Sequence, residues 1–111
     1  MDHDYRARAN WRDGDVRVKL LINSPMEDGS RIDRATGLRI AENRIVEVGC
    51  RRNGEDIFRV RVSSSVSHNP FFLFDIADVQ YGELLDVYWQ TQAYEYTEIT
   101  LVAQQQYDVR A

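Results

Sequence analysis

Along most of the chain apolar and polar side chains alternate one by one. Over residues 5–11, Tyr5, Ala7, Ala9 and Trp11 fall on one side, and Arg6, Arg8 and Asn10 on the other. A period of two places successive side chains on opposite faces, which predicts a strand. Asp13-Gly14 follows, a pair suited to a two-residue turn with positive φ. Val16, Val18, Leu20 and Ile22 then alternate with Arg17, Lys19 and Leu21, so the first 22 residues read as a β-hairpin. The pattern returns over residues 45–50, where Val46, Val48 and Cys50 are expected to face one way. Asn53-Gly54 is a second hairpin turn, after which Phe58, Val60 and Val62 alternate with Arg59 and Arg61. Ser63-Ser64-Ser65 interrupts. Residues 71–76, Phe-Phe-Leu-Phe-Asp-Ile, form a short apolar run after an Asn-Pro turn signal and read as a further strand. Tyr81-Gly82 marks another turn. Leu85, Val87 and Trp89 then face inward, opposite Asp86, Tyr88 and Gln90. The last strand spans about 95–102, with Ile99 and Leu101 on one face.

Between the first hairpin and residue 45 the periodicity lapses. Residues 23–37 carry Pro25, Gly29 and Gly37 among charges and read as a long loop, with a brief paired segment near residues 31–39. The pattern gives seven strands and no helix in a single domain over residues 1–111, with residues 1–4 and 104–111 expected to fray. Seven short antiparallel strands in about a hundred residues fit an all-β, immunoglobulin-like β-sandwich, with Trp89 suited to its core. The cysteine pair of antibody domains is missing, so packing must hold the sheets together.

The strand at 71–76 has more apolar surface than one buried face requires. Phe72, Phe74 and Ile76 suffice for a core, yet Phe71 and Leu73 occupy the other side. With Tyr88, Tyr94 and Tyr96 they are expected to form an exposed apolar and aromatic patch. Such a patch suits a protein partner, since tyrosine combines area with a polar tip. The other reading is that an elaborated loop of the same chain covers it.

Composition narrows the chemistry. Eighteen acidic and 14 basic residues give a net charge of −4, which argues against a nucleic-acid partner. The local pairs Arg51-Arg52 and Arg59/Arg61 read as solvated strand faces. The single cysteine, Cys50, cannot make an internal disulfide, and on an apolar face it behaves as an inert small hydrophobe. His3 lies in the N-terminal segment and His68 beside a turn. Two histidines and one cysteine supply a metal site poorly, so no metal and no cofactor is expected. No phosphate loop, nucleophile elbow or paired carboxylates stand out, so no catalytic residue is assigned. No signal peptide or membrane-spanning stretch is read in the sequence.

Several short motifs, in order, resemble one family. Leu21-Ile22-Asn23-Ser24-Pro25-Met26-Glu27-Asp28-Gly29 resembles the Ile-x-His-Pro-Met-Glu-Thr-Gly signature of SoxZ, the Z subunit of the sulfur carrier in bacterial thiosulfate oxidation. Arg31-Ile32-Asp33 with Gly37 resembles its charged loop, and Glu47-Val48 through Asn53-Gly54 its next strand and turn. Val66-Ser67-His68-Asn69-Pro70-Phe71 resembles its Val-Ser-Lys-Asn-Pro-Tyr segment, and Val87-Tyr88-Trp89 the strand before its last hairpin. The likeness runs over about residues 5–102. It departs at Ser24, where the family has His, at Ala41, where it often has proline, and at residues 90–94, which replace an Asp-Asn-Lys-Gly hairpin.

The resemblance implies a non-catalytic subunit paired with SoxY, whose Gly-Gly-Cys-Gly-Gly arm carries the sulfur intermediate covalently while other Sox enzymes dock transiently. It also implies a periplasmic home, reached by co-export with the signal-bearing partner. Nucleic acid and membrane are not expected partners. The loops around Asn23, Pro25, Met26 and Gly29, and around Ser67, His68, Asn69 and Pro70, are the candidates for docking near that arm. Two other readings stay open. One is a homo-associating structural or adhesion module. The other is a superoxide-reductase-like metal domain, whose iron takes four histidines and a cysteine.

Overall fold

The computed structural model describes residues 4–105. Among them lie seven strands and no helix: β1 (Tyr5–Arg12), β2 (Asp15–Ile22), β3 (Ile45–Arg52), β4 (Glu55–Arg61), β5 (Phe71–Ile76), β6 (Leu84–Thr91) and β7 (Tyr96–Val102). All pairings are antiparallel. One sheet has the order β1-β2-β5 and the other β4-β3-β6-β7. Their inner faces pack together into an immunoglobulin-like β-sandwich.

The alternation explains the core. Val16, Val18, Leu20 and Ile22 of β2 are fully buried against Val48 and Cys50 of β3 and Leu85, Val87 and Trp89 of β6. Both two-residue turns take the positive φ their residues allow, 51° and 89° at Asp13 and Gly14, 52° and 79° at Asn53 and Gly54. Trp11 donates its indole N–H to the Val79 carbonyl at 2.7 Å, which anchors the loop after β5.

Several expectations need correction. The pairing of β3 with β6 shifts between Ile45 and Glu47, a bulge that gives β3 one extra residue. Ile45, not Val46, therefore joins Val48 and Cys50 in the core, and Val46 is only half-buried. Val60 is half-exposed because β4 is the edge of its sheet, with no strand opposite to cover it. At the two ends, Asp4 accepts a backbone hydrogen bond from Asn23 at 2.8 Å. Gln104 forms a parallel bridge with Asn10 and accepts from Trp11 N–H at 3.0 Å. These two residues are therefore held. Residues 1–3, including His3, and residues 106–111 lie outside the described residues.

That bridge closes one side of the sandwich, between β1 and β7. The other side stays open. Between the edges of β4 and β5 runs a cleft of about 710 Å³, walled by Phe58, Val60, Phe72 and Phe74, where Phe58 meets Phe74 edge-on at 4.4 Å.

The long connection from β2 to β3 contains the expected short pairing. Ile32 bridges Arg39, and Glu27 bridges Asn43 lower down. The segment is thus a narrow two-legged arm, with Ile32 and Leu38 exposed near its tip.

Candidate partner surface

The aromatic patch expected from the sequence divides between two sites on opposite outer faces. Phe71 and Leu73 point outward from β5, on the three-stranded sheet, and are 57% and 52% exposed. Tyr88 and Tyr96 belong to the outer face of the four-stranded sheet. Tyr94, 83% exposed, stands at the β6–β7 turn with φ 63°.

The expectation for Tyr88 is overturned. Its ring does face outward from β6, but it is 2% exposed. Across the ladder its partner on β3 is Gly49, and the ring lies flat over that glycine: a Cβ there would sit 2.3 Å from the ring. From above, the Arg51 guanidinium covers it at 4.2 Å, and Tyr96 stacks against it with ring centroids 5.5 Å apart. Arg51 is fixed in turn by Asp56 at 3.0 Å and Glu98 at 2.9 Å, and it also donates to the Tyr96 hydroxyl. Tyr96 keeps about half its surface exposed and donates its own hydroxyl to Glu98. Burial, with Asp56 and Glu47 nearby, raises the Tyr88 pKa. Burial, with the Glu98 hydrogen bond, raises that of Tyr96. The cluster clamps the sheet, and Tyr88 beneath it presents no surface of its own.

The two motif loops, separated along the chain by residues 30–66, meet at one end of the sandwich. Ser24 N–H donates to Asn69 Oδ1 at 3.1 Å, and Asn69 N–H donates to the Ser24 carbonyl at 2.7 Å. Ile22 N–H donates to the Pro70 carbonyl at 3.1 Å, extending the β2–β5 ladder by one bond. Asn69 has φ 50°, a left-handed conformation that asparagine tolerates better than most residues. Ser24 is buried and its Oγ accepts from Met26 N–H at 3.4 Å. Met26, also at φ 51°, tucks inward, where its Sδ accepts from Ile45 N–H at 3.3 Å. Pro70 is buried as well. Asn23, Pro25, Ser67, His68 and Asn69 form the exposed rim, and Gly29 lies back against Glu42. These loops adjoin the start of β5, so Phe71 and the rim are neighbours.

What the alternation pattern held and the sequence reading passed over is the outer face of the three-stranded sheet. Its cross-strand rows are Arg6–Leu21–Phe71, Arg8–Lys19–Leu73 and Asn10–Arg17–Asp75. The face grades from cations on β1 to apolar side chains on β5, and the last of these rows holds an ion pair, Arg17 with Asp75 at 2.9 Å. The guanidinium holds the Asp75 carboxyl below its usual range. The signal was available: the hairpin turn at Asp13-Gly14 fixes which polar residues of the two strands lie side by side.

As for chemistry, Cys50 is fully buried, and desolvation pushes its thiol up to about 12 from an ordinary 9.0. Among the described residues no three His, Cys, Asp or Glu side chains come together as a metal site would need. His68 is exposed at the loop rim. No described helix is long and apolar enough to cross a membrane.

The model of the family Sulphur oxidation protein SoxZ matches residues 6–100. The chain belongs to the SoxZ family. No curated protein matches it. Membership places this SoxZ chain in sulfur oxidation, in the setting of other Sox proteins. The matched span runs from the start of β1 into β7, and so includes both motif loops and the face that carries Phe71 and Leu73.

Proposed function

We propose that this SoxZ chain is the non-catalytic scaffold subunit of a SoxYZ-type sulfur-carrier heterodimer. The partner, a SoxY-like subunit, holds the sulfur intermediate on a cysteine in its glycine-rich arm, and the SoxZ chain gives that subunit a rigid body to sit on. The observation that carries the reading is the family match over residues 6–100, joined to two large apolar side chains, Phe71 and Leu73, that the domain leaves half-exposed on an edge strand. Natural sheets usually blunt such edges with charges or proline. Within β5 only Asp75 does so, at its far end.

The inert thiol supports the same reading. A reactive cysteine on the scaffold would compete with the partner's arm for the sulfur adduct, and burial keeps Cys50 protonated. The rim formed by loops 23–29 and 67–70 is the place where visiting enzymes meet the arm. The compartment is the periplasm, reached with the partner.

The test is reconstitution. The SoxY-like subunit of the same cell, mixed with the native chain, is expected to give a one-to-one complex by sedimentation and calorimetry. Leu73→Asp is expected to weaken that complex by about 2–4 kcal/mol, the range of a central apolar anchor, with the isolated domain folded as before. A chain that self-associates and ignores the subunit would favour the adhesion-module reading instead. A stoichiometric metal in the purified chain would favour the metal-domain reading.

A further inference from the structure

We propose that the outer face of the β1-β2-β5 sheet receives an acidic surface with an apolar centre on the partner subunit, an inference that rests on the heterodimer reading above. The face has the composition of a steered docking site. Leu21, Phe71 and Leu73 form an apolar strip at its β5 side, and Arg6, Arg8 and Lys19 flank that strip. No carboxylate is ion-paired with these three cations among the described residues. Asp4 stands at the rim, and Asp75 is engaged by Arg17 at the far end.

The surface is also shaped. A hollow of about 630 Å³ lies between Arg6, Arg8, Lys19, Leu21 and Phe71. It shares Arg6 and Leu21 with a second hollow of about 340 Å³ that reaches Asn23 and Asn69 at the loop rim. One continuous surface therefore joins the apolar strip, the cations and the two motif loops.

Charge complementarity selects the occupant. The chain as a whole is acidic, at −4, yet five of its 14 cations, Arg6, Arg8, Arg12, Arg17 and Lys19, lie on this one face, against two carboxylates within its strands, Asp15 opposite Arg12 and Asp75 opposite Arg17. A second copy docked by a two-fold axis would bring the same cation-rich patch from both chains into one interface, a like-charge juxtaposition that an acidic partner avoids. A nucleic acid would satisfy the cations but leave the apolar strip without a counterpart. An acidic protein surface with an apolar centre satisfies both. Fields of this kind act mainly on the association rate.

The experiment measures association of the full chain with the SoxY-like subunit by stopped flow at low and high salt. The variant Arg6→Glu/Arg8→Glu/Lys19→Glu is compared with a control, Arg34→Glu/Arg39→Glu, whose charges lie on the β2–β3 arm. The face variant is expected to associate about 10- to 100-fold more slowly at low salt, with the difference shrinking at high salt. The control should stay within about twofold, and circular dichroism should show all three proteins folded. Equal rates for the face variant and the control would overturn the inference and leave the heterodimer reading standing. Failure of the native chain to bind the subunit would overturn both. A self-associated native chain that the face variant dissociates would assign the face to a second copy. Tight binding of a duplex oligonucleotide, abolished in the face variant while subunit binding is unchanged, would assign it to a polyanion. Either result overturns the proposal.

Discussion

At the scale of single residues, the deciding contact is Gly49 beneath Tyr88. Any side chain at position 49 would drive its Cβ into the Tyr88 ring at 2.3 Å, and the ring is held down by Arg51 and Tyr96. Gly49→Ala is therefore expected to cost about 1–3 kcal/mol in chemical denaturation, the scale of overpacking. Tyr88→Ala added to it should recover part of the loss, because the obstructing ring is gone. Additive costs would mean that the two positions are not coupled. The alternation told correctly which way Tyr88 points. It did not tell that Tyr88 is covered, because the covering groups come from β3 and β7, positions that no local pattern connects to β6.

At the scale of elements, the junction of loops 23–29 and 67–70 rests on Asn69. It supplies a side-chain acceptor to Ser24 N–H and takes a left-handed backbone conformation. Asn69→Ala loses both advantages and leaves a partly buried N–H without its acceptor, so a destabilisation of about 1–3 kcal/mol is expected by thermal or urea unfolding. Asn69→Gly keeps the backbone freedom and should lose less. A smaller cost for alanine than for glycine would contradict the account. The long loop was legible as a loop, and its short pairing near residues 31–39 is present as the Ile32–Arg39 bridge. The β3 bulge was not legible. One extra residue leaves the local composition unchanged, yet it moves Ile45 into the place assigned to Val46. β5 is the element for which sequence and structure agree most fully. Phe72, Phe74 and Ile76 turn to the core, while Phe71 and Leu73 stay at the surface.

At the scale of the whole molecule, packing and not a disulfide joins the sheets, and Cys50 contributes as a buried hydrophobe. Its folded-state pKa is raised from 9.0 to about 12, so the folded state disfavours the thiolate. The stabilisation is fully present below pH 9 and is lost as pH rises toward 12. In that window the unfolding free energy should fall by about 1.4 kcal/mol per pH unit from this one group. Tyr88 and Tyr96, whose pKa values are also raised, add to the decline in the same direction. Denaturation across pH 8–11 should show a shallower slope for Cys50→Ser than for the native chain, and identical slopes would dismiss the linkage. Two outcomes separate what is local from what is not. The sequence by itself determined the strands, the tight turns, the inward face of most strands and the family, because pleating and turn dihedrals depend on neighbours in the chain. Only the tertiary structure decided that the aromatic residues divide between opposite faces, that Tyr88 is roofed over, that the two motif loops join, and that the cations of β1 and β2 line up beside the apolar edge of β5. Those depend on which strands become neighbours, and burial and surface charge are properties of that neighbourhood.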